Sequence, residues 1–171
     1  RAIWPHSGHA APDSGFTAWH FEPTLLAAII LGVGLYLYAV GPHRERRRLG
    51  PPVSTRRIVA FIGGIFVIFV ALASPIDSIA EHYLFSIHMA QHLMLMYIAA
   101  PLIAVGIPSW ATRLFPYSKS VHSATRLLTL PTVAFLISSG VFLVWHAPPF
   151  YEAALENGPL HEFEHITILA V

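Results

Sequence analysis

The side chains best suited to chemistry in this 171-residue chain are histidines, eleven in all. His88 and His92 form one i, i+4 pair and His161 and His165 form another. In a helix that spacing puts both rings of a pair on one face, one turn apart. Imidazole is the commonest metal ligand, so two such pairs on facing helices offer one ion up to about four nitrogens. His146 precedes the second pair across a turn-rich loop and is a fifth candidate ligand. Glu164, Asp77 and Glu81 are candidates to accept the second ring N–H and so hold the tautomers. Met96 continues near the His88 and His92 stripe one turn further on, and a thioether beside imidazoles suits Cu(I). The chain has no cysteine, which excludes disulfides and thiolate ligands.

Other chemistries compete for the same residues. Polar groups within membrane helices also serve as interhelical hydrogen bonds or proton relays. His161-Glu162-Phe163-Glu164-His165 fits H-E-x-x-H, in which two helical histidines bind zinc and the first Glu is a general base. That reading leaves His88 and His92 without a role. Haem needs only an axial pair from two helices, but two histidines on one face of one helix cannot both be axial to one haem. No phosphate loop, dinucleotide fingerprint or nucleophile elbow is present, and nothing supports nucleic-acid binding.

The elements that must position these histidines are membrane helices. The chain is 55% hydrophobic and 11% charged, with a mean hydropathy of +0.60, far from a water-soluble domain. A hydrocarbon core of roughly 30 Å needs about 17 or more apolar residues in a helix. Charge-poor runs near 24–40, 58–73, 83–105, 130–145 and from 160 to 171 onward are therefore expected to be spans. The expected fold is an all-α, polytopic transmembrane bundle of at least five spans, a single domain over residues 23–171. Residues 1–22 read as a polar tail. The sequence does not begin with Met and stops inside an apolar run, so the chain is expected to be truncated.

Charge predicts the orientation. Arg44, Arg46, Arg47, Arg48, Arg56 and Arg57 lie between the first two runs, and Arg113, Lys119 and Arg126 between the third and fourth. The positive-inside rule makes both loops cytoplasmic. The N-terminal tail is then outside, as are most of the acids: Asp13, Glu22, Asp77, Glu81, Glu152, Glu156, Glu162 and Glu164. The third span enters from outside, with His88 and His92 about 7 and 13 Å below its start. His146, His161 and His165 reach the same leaflet by alternation. An intramembrane ionisable residue is by default a functional one.

The third run, SIHMAQHLMLMYIAAPLIAVGIP, resembles the signature of the CtaG family of bacterial cytochrome c oxidase assembly factors. WHFEP, STRRIVAFIGG, ALASPIDSIAEHYLFS and VWHAPPFYEAALENGPLHEFEH agree with it, so the resemblance covers about residues 16 to 171. It implies a multi-pass protein of the bacterial cytoplasmic membrane that is not an enzyme. Its implied role is making an active caa3-type oxidase by handling copper, with zinc or haem the lesser alternatives. The implied partners are the terminal oxidase subunits, the lipid bilayer and a copper donor protein. The family motif maps onto His88, Gln91 and His92, onto Pro101 and Pro108, and onto His146, His161, Glu164 and His165. Glu162 is not a residue the family pattern demands. Two rivals stay open: a haem-bearing electron-transfer subunit and a structural subunit of a respiratory complex.

Overall fold

A computed structural model describes residues 19, 21–82, 84–114 and 119–171. The expected tail, residues 1–22, falls almost wholly outside them. Among the described residues every regular element is helical, in the order α1 (Pro23–Tyr38), a π turn (Ala39–His43), α2 (Arg44–Arg47), α3 (Thr55–Ala73), α4 (Pro75–His82) and α5 (Phe85–Met94). A second π turn (Leu95–Ala99), α6 (Ala100–Gly106), a 3-10 turn (Ser109–Leu114), α7 (Lys119–Leu128), α8 (Pro131–Trp145), α9 (Pro148–Glu156) and α10 (Gly158–Ala170) follow.

Proline starts these helices and widens them. Pro23, Pro131, Pro148 and Pro159 sit in the first turn of α1, α8, α9 and α10, where a missing N–H costs nothing. Asn157 completes the start of α10, its Oδ1 accepting from the Leu160 N–H at 3.2 Å. Pro42 lies inside the first π turn and Pro101 just beyond the second. Each deprives the carbonyl four residues back of its donor, so the α-helical ladder loosens there.

Among the described residues three helical units are long and apolar enough to cross a bilayer: Pro23–Arg47, Thr55–Ala73 and Phe85–Gly106. A fourth exists only if α8 and the start of α9, bent by 69° across Trp145–Pro148, count together. The expectation of at least five spans is therefore corrected to three or four. The apolar run from 160 lies on α10, which reaches Ala170 beside the last residue given.

The surface is that of a membrane protein. Ile30, Val59, Phe66, Tyr97, Phe135 and Leu143 are all more than 60% exposed, whereas His88, Gln91, His92, His161, Glu164 and His165 are buried. Polar groups inside and apolar groups outside suit a lipid surround. Small residues let α3 and α6 meet: Gly64 faces the Ala99 carbonyl and Ile103, and Gly106 lies against Phe61. Ile68, Ala71, Leu95 and Ala99 form the core of that contact. Trp145, Ala154 and Ile168 form a second core, which joins α8, α9 and α10 and receives Met96.

Candidate metal centre

Two helices bring the same pattern to the bundle interior. From Phe85 to Leu95 the buried residues are His88, Gln91, His92 and Leu95, and on α10 they are His161, Glu164, His165 and Ile168. Both stripes are H-x-x-[QE]-H-x-x-[LI], the i, i+3, i+4, i+7 spacing of one helix face.

Gln91 fixes the rotation of α5. Its Nε2 donates to the Ala71 carbonyl at 2.9 Å and to Asp77 Oδ1 at 2.7 Å. Ala71 lies in the last turn of α3, where carbonyls lack helical partners, so one amide ties α5 to the end of α3 and the start of α4. Asp77, expected to hold a histidine tautomer, thus engages Gln91. On the other side Trp145 Nε1 donates to Thr167 Oγ1 at 2.7 Å, and Thr167 Oγ1 donates to the Glu164 carbonyl at 2.8 Å. α8 and α10 are held together one residue from His146.

Between these tethers, one ligand atom from each of His88, His92, His146 and Glu164 lies within 4.8 Å of the others. The His88 and His92 ring centroids are 4.3 Å apart, and that of His146 lies 5.3 Å from His92. Glu164 Oε1 is 3.8 Å from His92 Nε2, and its Oε2 is 3.3 Å from His161 Nδ1. His161 and His165 flank this group, 5.8 Å from the His88 ring and 5.2 Å from the His92 ring. All five expected histidines therefore converge. Glu164, expected beside the ligands, stands among the innermost four, while His161 and His165 stand around them.

Hydrogen bonding tests whether this group fits a metal. Both ring nitrogens of His88 and His92, Nε2 of His146 and His165, and both Glu164 oxygens are buried without a hydrogen bond. Buried polar atoms are ordinarily paired, and so many orphans converging on one place suit a cation. His146 has a determined tautomer, because its Nδ1 is 2.7 Å from the Phe142 carbonyl, which can only accept. Nδ1 therefore carries the proton and Nε2 keeps its lone pair, the usual arrangement behind a metal-bound imidazole. Imidazoles with one carboxylate suit copper, zinc, iron or nickel.

Neither Met96 nor Glu162 belongs to the two buried stripes. Met96 is half-buried in the α8, α9 and α10 core, because the π turn that begins at Leu95 shifts the helical phase and leaves Leu95 to continue the stripe. The Glu81 side chain lies outside the described residues. Glu162, the base of the zinc-protease pattern, is exposed on α10 while Glu164 is buried.

Comparison with known proteins gives the family. The chain is 28% identical over 172 residues to an uncharacterised protein of Mycobacterium leprae and 27% identical over 171 residues to one of Mycobacterium bovis. Each alignment covers 91% of this chain and 25% of the relative, so the chain spans about a quarter of the length of the curated relatives it matches. No solved structure matches significantly. Residues 34–171, which hold the whole histidine and carboxylate cluster, match the family described as cytochrome c oxidase caa3 assembly factor (Caa3_CtaG), and the chain belongs to that family.

Proposed function

We propose that this protein supports assembly of a caa3-type cytochrome c oxidase by holding copper as cargo at His88, His92, His146 and Glu164 and releasing it toward the oxidase. The observation that carries this reading is the convergence within 4.8 Å of four ligand groups, three buried and His146 half-buried, their facing atoms without hydrogen bonds. An ion held there would draw on neutral imidazoles and a single carboxylate. His161 and His165 are close enough to take over as ligands during transfer, which suits a carrier rather than a permanent cofactor site.

Orientation follows from charge. Arg57 lies beside the end of α6, where its Nη1 donates to the Ile107 carbonyl at 2.7 Å. His88 is on α5 at the other end of the same span, about 27 Å away along the helix. With the basic end cytoplasmic, the cluster faces the outer leaflet of a bacterial cytoplasmic membrane. The oxidase subunits and a copper donor protein are the partners this role requires.

The test is elemental analysis of the purified full-length protein beside its His88→Ala, His92→Ala double variant. Copper is expected to copurify with the wild type and to be lost from the variant. Equal metal content in the two would end the proposal.

A further inference from the structure

We propose that Phe85 and Tyr151 form the mouth through which an ion reaches and leaves the buried cluster, so that this aromatic pair sets the rate of exchange. The inference rests on reading the cluster as an ion-holding site and adds the route to it.

His88, His92 and Glu164 are at most 1% exposed, so an ion must pass other side chains to reach them. The surroundings of His92 are crowded: half-buried Phe142 and buried His165 meet its ring edge to face, Leu95 is buried one turn below, and Gln91 ties α5 to α3 and α4. The His88 and His146 side differs. Phe85 is 55% exposed and Tyr151 half-buried. The Phe85 ring lies 6.1 Å from that of His88 and 6.5 Å from that of His146. Tyr151 is 5.8 and 6.5 Å from the same two rings. Both aromatics thus touch ligands on one side and reach the surface on the other.

The two rings meet edge to face, 5.7 Å apart at 87°. That is a packed aromatic contact, with no water-sized gap between the rings, so a passing ion requires one ring to swing aside. Phe85 opens α5. Tyr151 belongs to α9, a nine-residue helix set at a sharp bend from α8. His146 is the C-cap residue at that bend, with φ −89° and ψ 0°. A displacement of α9 therefore moves Tyr151 and strains one ligand together, which couples opening of the mouth to loosening of the site.

These 171 residues hold no cysteine, so with any cysteine outside them replaced by serine, a thiol placed at the cluster gives a test that needs no metal. In the full-length His88→Cys variant, reaction with a small, charged thiol reagent reports access to the cluster. Adding Tyr151→Ala is expected to raise that rate at least about tenfold, as removing a gate does. Adding Tyr151→Phe, which keeps the ring, or Phe135→Ala on the lipid-facing surface should leave it unchanged. Equal rates in all these variants, or acceleration by Phe135→Ala as well, would overturn the proposal. In the His88 background, copper capture by a chelator should accelerate with Tyr151→Ala while the equilibrium affinity stays within about twofold. A wild-type protein that holds no copper would defeat the proposed function, and the thiol rates would still decide the mouth.

Discussion

The two ends of the bundle treat polar groups in opposite ways. At the basic end the chain satisfies itself: Tyr36 donates its hydroxyl to the Gly106 carbonyl at 2.9 Å, Arg57 donates to the Ile107 carbonyl, and Arg44 Nε and Nη1 donate to the Val40 and Gly50 carbonyls at 3.0 and 3.2 Å. These acceptors lie mostly at the ends of α1 and α6, where helices leave carbonyls without partners. Trp110, whose indole N–H is buried without an acceptor, is an exception. At the histidine end the chain gathers polar atoms and leaves them unsatisfied. Under the proposed function the difference separates anchoring from binding: one end is nearly complete in itself, and the other would be completed by the ion.

The sharpest way to break that contrast is Glu164→Gln. The buried carboxyl accepts no hydrogen bond, its nearest imidazole nitrogens lying at 3.3 and 3.8 Å, so in the metal-free protein its burial is a cost. The variant is expected to lose copper at least about tenfold while its metal-free form unfolds later, by about 1 kcal/mol. Elemental analysis and thermal unfolding in detergent read the two effects. A variant that keeps its copper and unfolds earlier would make Glu164 an anchor like Arg57, and the contrast would fail.

Gly106→Ala probes the opposite end. An added Cβ would lie 2.6 Å from the Phe61 Cβ and 2.8 Å from its Cα and N. Backbone cannot yield as a flexible side-chain tip can, so α3 and α6 must part, at about 1–3 kcal/mol. Copper content per folded chain should be unchanged. A marked loss of copper would show that the ends are coupled through the α3 and α6 packing, and the division would need redrawing.

Part of this was legible in the residues. Charge-poor runs gave the first three spans, and i, i+4 spacing together with alternation placed five histidines near one another, as they are. Glu164 could have been read as a member of the inner group, since it follows His161 by three residues and precedes Ile168 by four, on the buried stripe. It was assigned to a supporting role because carboxylates beside histidines more often hold tautomers than ligate. The span count was not legible, because hydropathy counts apolar residues without seeing where a helix bends. The run from 130 meets the break at His146–Ala147. Met96 was misplaced for a related reason: a constant 3.6-residue period holds only until a π turn, and one begins at Leu95.

Tyr36→Phe should have the smallest effect and the cleanest meaning. The ring stacks on Phe61 at 3.7 Å with an interplanar angle of 4°, and phenylalanine keeps that contact. Only the hydroxyl's hydrogen bond to the Gly106 carbonyl is lost, at about 1 kcal/mol. Thermal unfolding would register the loss, with copper content and the thiol reaction at position 88 unmoved. At the saturated end, removing a donor then leaves a carbonyl unpaired and lowers stability alone, whereas at the histidine end removing an acceptor relieves the metal-free protein and costs it the ion. Should Tyr36→Phe instead change copper retention, the hydroxyl would be acting on the cluster through the length of α5 and α6, and the basic end would be part of the site.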